Sequence, residues 1–170
     1  LDQIRAANIE IFDESRLHAP AATCQTFVNG AIGARLPSSD AWTRAYRDDE
    51  EMCLIRGMID NPSTVTKKNL QQVDSNFRMP LRRGLLIFDH GMIIYREPLA
   101  GDSSSYCNLG VVPRSLREIL FVAFHANPIG GHLNAYRTYS RLRLRYYWPG
   151  MYTYCVSMCS KCPACALANG

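Results

Sequence analysis

Two histidines and two cysteines near the carboxyl end of the sequence have the types and the spacing of a metal site. The pattern is His125-x6-His132-x29-Cys162-x2-Cys165. Two imidazoles and two thiolates are the ligand set that tetrahedral structural zinc prefers, and a Cys-x2-Cys pair lets both sulfurs reach one ion. Four protein ligands fill the tetrahedron and leave no position for water or substrate. The pattern therefore predicts one structural Zn²⁺ and no catalytic residue at this site.

Other interpretations of the same cluster remain open at the level of sequence. Cys159-x2-Cys162 is a second, overlapping pair, although Cys155 and Cys159 fall on a predicted apolar helix stripe, where a free cysteine behaves as a small hydrophobic residue. A redox pair would follow a thioredoxin-like strand, and none is predicted here. A zinc hydrolase would need an open coordination position and a glutamate base, but Glu118 lies two turns before His125.

The elements that must bring these residues together are three short helices. A first helix is predicted to begin at Pro113 and to end near residues 127–128, with a Gly-Gly turn after it. A second is predicted over residues 133–145, and a third begins at Met151, after a Trp-Pro-Gly break. The predicted buried stripe of the first helix comprises Leu116, Ile119, Leu120, Ala123 and Phe124, and that of the second Ala135, Tyr139 and Leu142. A bundle of about 50 residues is near the size at which a metal is needed for stability.

A small antiparallel sheet is predicted before the bundle. Two apolar runs, residues 85–88 and 92–95, flank an Asp-His-Gly turn at residues 89–91 and indicate a hairpin. A polar loop at residues 101–105 then leads to a third predicted strand at residues 109–112.

The amino-terminal part shows helical signals and no recognisable chemistry. One helix is predicted from Ser39 or Asp40 to residues 61–62, broken at Gly57, and a second short one over residues 63–73. Weaker helical spacing covers residues 1–15. We expect His18 and His90 to be loop residues. Trp42 and Trp148 are predicted to be core residues rather than stacking platforms.

Together these signals predict an α+β fold in three segments. A partly helical segment at residues 1–80 precedes a small β extension at residues 81–112. A zinc-stapled, helix-turn-helix-like bundle of three helices follows at residues 113–170.

Basic charge is concentrated in the last third of the sequence. Residues 113–170 carry seven Lys or Arg against the single acid Glu118, whereas the remaining residues carry twelve basic and fourteen acidic groups. Such an excess fits a polyanion partner and also an ordinary solvated helix face. The candidate nucleic-acid contacts are Arg137, Arg141, Arg143 and Arg145. Asp60 and Glu97 have no third acidic partner, and we expect both to be solvated surface groups.

The cysteine count and the hydropathy indicate the cellular compartment and the solubility of the protein. Seven cysteines, four of them within eleven residues, favour a reduced compartment with a local metal site over a secreted disulfide scaffold. No apolar run approaches the roughly 18–20 residues that span a bilayer, so we expect a soluble protein without a leader. Because the chain opens on Leu1 and stops shortly after Cys165, we expect it to be part of a longer protein.

The motif HANPIGGHLNAYRT (125–138), followed by RLRLRYYWPGM (141–151) and CPAC (162–165), resembles the His-His-Cys-Cys zinc domain of long-terminal-repeat retrotransposon and retroviral integrases. The resemblance is close over residues 110–168, and the hairpin before it is similar to an extension found in many such polyproteins. Two departures stand out. Asn134 replaces a more usual Gly, and Ala166 and Asn169 replace Gln and Lys, which puts one nucleic-acid contact in doubt.

The resemblance implies a module without catalytic activity inside an integrase polyprotein, because strand transfer in that family is carried out by a separate acidic core. It implies DNA at the element ends and other integrase subunits in a homo-oligomer as partners, with no membrane and no small-molecule substrate. It also implies assembly in the cytoplasm and action in the nucleus of the host cell. The alternative is a stand-alone, zinc-stabilised nucleic-acid-binding protein derived from a retroelement.

Overall fold

The computed structural model describes residues 36–99, 102–127 and 131–168. Helices precede a four-stranded sheet and further helices follow it, so the predicted α+β class is confirmed. The predictions for residues 1–15, His18 and the Gly-Gly turn fall wholly or partly outside the described residues. Within the described ranges, no helix is both long and apolar enough to cross a membrane.

Two helices stand where one was predicted at the amino end. Helix α1 spans Ser39–Asp48 and helix α2 spans Glu50–Asp60. Asp49 has extended backbone, and its carboxylate accepts from the amides of Glu51 and Met52 at 3.1 and 3.3 Å, which starts the second helix. Gly57 does not break α2, so that prediction was wrong.

Short helical pieces connect α2 to the sheet. A 3₁₀ turn spans Pro62–Thr64, helix α3 spans Lys67–Leu70 and helix α4 spans Ser75–Arg82. The single helix predicted at residues 63–73 is therefore divided in two. Thr66 caps α3 and Asp74 caps α4 through their side-chain oxygens.

The sheet begins with the predicted hairpin. Strand β1 spans Leu86–Asp89, β2 spans Met92–Leu99 and β3 spans Asp102–Val111, all antiparallel. Asp89 pairs with Met92, so the turn has two residues, His90 and Gly91, both at positive φ, and not the three that were predicted. The predicted loop at residues 101–105 is also corrected, because β3 already begins at Asp102.

The remaining elements belong to the carboxyl-terminal third. A 3₁₀ turn, Arg114–Leu116, leads into helix α5, and a small two-stranded ladder joins α5 to α6. The ranges are α5 Arg117–His125, β4 Ala126–Asn127, β5 Gly131–His132, α6 Ala135–Leu142, β6 Tyr146–Tyr147, α7 Met151–Ser160 and α8 Pro163–Ala168. Helices α5, α6 and α7 contact one another pairwise. The predicted starts and ends shift: α5 begins after Pro113, and α6 ends before Arg143.

Strand β6 joins the sheet in a way that the sequence did not predict. It pairs in parallel with the end of β3, through Gly110 N–H to Arg145 O at 2.8 Å and Val112 N–H to Tyr147 O at 2.9 Å. A Cβ on Gly110 would lie 2.9 Å from Met92 Cε and 3.6 Å from the Tyr146 ring. Glycine at this position therefore permits the close approach of the two strands.

One apolar core runs through the described part of the chain. It includes Trp42 from α1, Ile93 from β2 and Trp148 before α7, so the prediction that both tryptophans are core residues is confirmed. Ile119 is 44% exposed, and its predicted burial was wrong, whereas Phe121 is buried instead. The core crosses the three predicted segments, whose boundaries stay a prediction.

Hydrogen bonds attach the amino-terminal helices to the start of the carboxyl-terminal third. The Tyr46 hydroxyl donates to the Val111 carbonyl and accepts from the Ile93 amide at 3.2 Å. Burial raises the pKa of this phenol far above its usual value. The second carboxylate oxygen of Asp49 accepts from the Arg114 amide at 3.0 Å. Helices α1 and α2 are thus fixed against residues 111–114.

Candidate metal centre

His125 occupies the last position of α5 and faces inward. Its side chain is buried and its ring stacks on Phe121 with 4.7 Å between ring centroids. Its backbone carbonyl accepts from the Leu133 amide at 3.0 Å, which returns the chain to the end of the helix. The ring and the backbone of His125 are therefore each held by a contact that does not need an ion.

His132 reaches the same place through the small ladder. Ala126 pairs with His132, and the Nδ1 atom of His132 lies 3.1 Å from Nε2 of His125. The His132 side chain is exposed, in contrast to its buried partner. The pairing of Ala126 with His132 explains how a spacing of seven residues brings the two rings together.

Cys162 lies in the junction between α7 and α8, and Cys165 lies within α8. Cys162 follows the end of α7, and its carbonyl accepts from the Ala166 amide at 3.0 Å in the first turn of α8. Its Sγ lies 3.2 Å from Nδ1 of His132, and Sγ of Cys165 lies 3.4 Å from Nε2 of His125. The third predicted helix therefore ends before Cys162.

These four ligand atoms all lie within 4.8 Å of one another. With Zn–N near 2.0 Å and Zn–S near 2.3 Å, a tetrahedron has edges of roughly 3.3–3.8 Å. The observed N···N and N···S separations of 3.1–3.4 Å are close to those edges. The donor set and its spacing therefore fit tetrahedral zinc.

The environment affects the protonation of the candidate ligands in different directions. Burial lowers the pKa of His125 and so favours the neutral imidazole that a metal requires. The backbone N–H of Cys165 lowers the pKa of the Cys162 thiol, while burial raises that of Cys165. A bound cation would favour both thiolates.

The other two cysteines of the cluster lie elsewhere. Cys155 is fully buried in the apolar core, and burial raises its pKa to about 12, as expected for an inert thiol. Cys159 packs against the core, and its Sγ lies 3.5 Å from Nδ1 of His125, on the opposite side of the ring from the four converging atoms. The overlapping Cys159-x2-Cys162 pair is therefore not assembled as a site.

The candidate DNA-contacting arginines do not share one environment. Arg137 and Arg141 are exposed on α6, and Arg145 is exposed three residues beyond its end. Arg143 is partly buried and forms an ion pair of 2.6 Å with Glu97 of β2. The expectation that Glu97 is a solvated surface group was wrong. Asp60 is exposed and pairs with Arg56 at 2.6 Å.

A residue that the sequence analysis missed lies beside His125. Thr138 is fully buried, and its Oγ1 lies 3.4 Å from Nδ1 of His125. The sequence contained a signal for it, because Thr138 is a polar residue on the face of α6 that carries Ala135 and Leu142.

Comparison with known families agrees with this geometry. Residues 112–170, about a third of the chain, match the model of the integrase zinc binding domain. No solved structure matches the chain. The integrase zinc binding domain is non-catalytic in itself, and the His₂Cys₂ cluster of this chain is consistent with one structural Zn²⁺. The chain therefore contains an integrase-related zinc-binding module.

Proposed function

We propose that this chain is the zinc-binding module of a retroelement integrase polyprotein that supports subunit assembly and binds the DNA ends of the element. We assign His125, His132, Cys162 and Cys165 as the zinc ligands, and we expect strand transfer to be carried out by a separate catalytic core. The observation that carries the proposal is the convergence of two imidazole nitrogens and two sulfurs within 4.8 Å in the segment that matches the family.

The ligand assignment is tested by zinc content across single variants. We expect one zinc per chain in the parent protein, and loss of zinc in His125→Asn, His132→Asn, Cys162→Ser and Cys165→Ser. Cys155→Ala and Cys159→Ala are the matched controls and should keep the ion, because they trim small side chains packed outside the site. Retention of zinc by Cys165→Ser together with its loss in Cys159→Ala would overturn the assignment.

The charge distribution supports the DNA-binding part of the proposal. The basic excess of residues 113–170 includes Arg137, Arg141 and Arg145, all with exposed side chains. Exposed arginines contact phosphates without reading bases, so we expect weak affinity, strong salt dependence and little sequence preference. Arg143 is expected to contribute less, because Glu97 already neutralises it.

DNA binding is tested with two triple variants of equal charge change. Replacing Arg137, Arg141 and Arg145 by Gln should flatten the dependence of log K on log salt by roughly three phosphate contacts. The control replaces Arg44 of α1, Arg82 at the end of α4 and Arg83 directly after it, all three exposed, and should leave the slope nearly unchanged. If both variants flatten the salt dependence equally, net charge alone, and not the position of the arginines, causes the effect.

Exposed apolar side chains support the assembly part. Ile119 and Val122 on α5 and Tyr152 and Val156 on α7 are each 43–50% exposed, on two helices that contact each other. A contiguous patch of exposed apolar groups is typical of an association surface, and we propose that these four side chains form one. We expect sedimentation to show self-association of the zinc-loaded chain that Ile119→Asp and Val156→Asp weaken, and a monomer at all concentrations would contradict it. The nuclear action and cytoplasmic assembly implied by the family remain part of the proposal.

A further inference from the structure

The two nitrogens of the His125 ring face different surroundings. Nε2 points at the converging ligand atoms, 3.1 Å from Nδ1 of His132 and 3.4 Å from Sγ of Cys165. Nδ1 faces the interior, where Thr138 Oγ1 lies at 3.4 Å and Cys159 Sγ at 3.5 Å. A neutral imidazole has one nitrogen that donates and one that accepts. If Nε2 binds the ion, Nδ1 carries the proton and needs an acceptor in a buried place.

The hydroxyl of Thr138 is oriented to be that acceptor. It has a single proton, and two backbone carbonyls compete for it, Asn134 O at 3.0 Å and Leu133 O at 3.2 Å. Both carbonyls lack a proton to return, so the hydroxyl donates to the backbone and keeps its lone pairs for another donor. The fully buried Thr138 has no access to water. Its lone pairs are therefore available to accept from the ring N–H, since Oγ1 lies 3.4 Å from Nδ1 of His125.

The sulfur of Cys159 is the weaker of the two candidates. A thiol is a poor acceptor, and Sγ of Cys159 can itself donate toward Leu133 O at 3.9 Å. A hydroxyl oxygen accepts a short, directional bond more readily than a sulfur does.

We propose that Thr138 is a positioning residue of the metal centre that accepts the Nδ1–H of His125, fixing the tautomer and the ring orientation that present Nε2 to the ion. This inference rests on the assignment of His125 as a ligand in the proposed function. Partners of this kind tune the metal affinity of ligating histidines in other proteins.

The experiment compares two substitutions that each remove one of the two groups on Cβ of Thr138. Thr138→Val keeps the shape and removes the hydroxyl, while Thr138→Ser keeps the hydroxyl and removes the methyl. Zinc affinity is measured by competition with a chromophoric chelator. We expect Thr138→Val to bind zinc roughly 10- to 100-fold more weakly, and Thr138→Ser to stay within about threefold of the parent protein. The opposite order would show that packing of the methyl group matters, and would overturn the proposal.

Two control variants make the comparison specific. Thr43 also bonds back to a helix carbonyl, Ser39 O at 3.1 Å, but it is exposed on α1, so Thr43→Val reports the loss of such a bond alone. Cys159→Ala tests the competing acceptor. Both should bind zinc like the parent protein, and weakening in Cys159→Ala with none in Thr138→Val would assign the role to the sulfur instead.

A second measurement keeps the proposal testable even if Thr138→Val does not fold. Long-range ¹H–¹⁵N spectra of the zinc-loaded parent protein should show His125 protonated at Nδ1 and metallated at Nε2. In Thr138→Ser that proton should remain equally protected from exchange. Zinc on Nδ1 of His125 would overturn the inference. If His125→Asn retains zinc, the ligand assignment fails; if His125→Asn loses zinc but Thr138→Val does not, only the role of Thr138 fails.

Discussion

The two ends of helix α7 belong to regions that are stabilised differently. Its first half contributes Met151 and the fully buried Cys155 to the apolar core. Its far end leads to Cys162, in a region where His132 is exposed, Cys162 and Cys165 are partly exposed, and α8 has six residues. The core region gains stability by removing apolar surface from water, whereas three of the four candidate ligands in the metal region lie in exposed or partly exposed places. The comparison indicates that removal of zinc and truncation of a core side chain should affect different parts of the chain.

Removal of zinc should give the largest effect and should localise it. Structural zinc supplies on the order of 10 kcal/mol in small modules, so chelation should abolish hydrogen-exchange protection in α8 and in the β4–β5 ladder. Protection in α2 and β2 should be retained, because Met52, Ile55 and Ile93 are held by the apolar core. Exchange measured by mass spectrometry with and without chelator checks this. Equal loss in β2 would mean that both regions unfold as one unit.

Truncation in the core should show the converse pattern. Ile93 is fully buried in β2, and Ile93→Ala should cost about 3 kcal/mol of unfolding free energy because it leaves a cavity. Urea unfolding of the zinc-loaded protein measures the cost, with Leu54→Ala, partly exposed on α2, as the control near zero. The variant should still bind one zinc per folded chain. Loss of zinc from folded Ile93→Ala would show that the core region and the metal region are not stabilised independently.

The link between the helices and the sheet should have an intermediate effect. Tyr46→Phe removes the hydroxyl shared by Val111 O and Ile93 N–H and leaves both groups unpaired. We expect a loss of about 2 kcal/mol in the same urea assay. Tyr152→Phe, half exposed on α7, is the matched control and should change little. A cost for Tyr46→Phe no larger than that control would show that the bonds are replaced by others.

The same tyrosine predicts a pH dependence. Its pKa is raised by burial above the usual 10.0, so the unfolded chain loses this proton near pH 10 while the folded chain keeps it. The unfolded state then binds fewer protons, and stability is full below that pH and falls as the pH rises above it. Tyr46→Phe should make this fall shallower without removing it, because burial also raises the pKa of Tyr147 to about 12. If stability falls equally steeply with pH in Tyr46→Phe, Tyr46 is not one of the groups whose raised pKa causes the fall.

Two glycines provide the smallest and most selective test. Gly150 precedes α7 with φ at +71°, and Gly150→Ala should cost about 1 kcal/mol because a Cβ disfavours the left-handed region. Gly57 lies within α2 with no atom within 4 Å of an added Cβ, so Gly57→Ala should stabilise by about 1 kcal/mol. The melting temperature should therefore fall in Gly150→Ala and rise in Gly57→Ala. A shift in the same direction in both variants would show that backbone conformation does not explain the effects.

The metal centre was the most predictable part of the molecule. Zinc needs given ligand types at spacings that a short turn and a Cys-x2-Cys pair can provide, and both features are visible in the sequence. Thr138 was missed because its role depends on which nitrogen of His125 faces the interior. That orientation is decided by the packing of α5 on α6, which no local pattern encodes.

The fold was predictable where periodicity is local and unpredictable where distant groups decide. The hairpin was identified from two apolar runs that flank a turn, and Trp148 was correctly assigned to the core. The break at Asp49 depends on a carboxylate that caps α2 and also accepts from Arg114, sixty-five residues away. Strand β6 has two residues, too few to show a period, and forms because β3 lies beside it. Ile119 was assigned to the wrong side of α5 for lack of that tertiary context.

The pairing of β3 with β6 has a practical consequence for expressing the family-matched segment alone. A fragment that starts at residue 112 would lack β3, and the backbone groups of Tyr146 and Tyr147 would form an open sheet edge. It would also uncover the ring of Tyr146, which stacks on Trp42 at 6.0 Å between centroids. Open edges beside apolar surface promote aggregation. We therefore expect such a fragment to precipitate even when saturated with zinc, whereas a fragment that begins before α1 should stay in solution and show no large aggregates in light scattering.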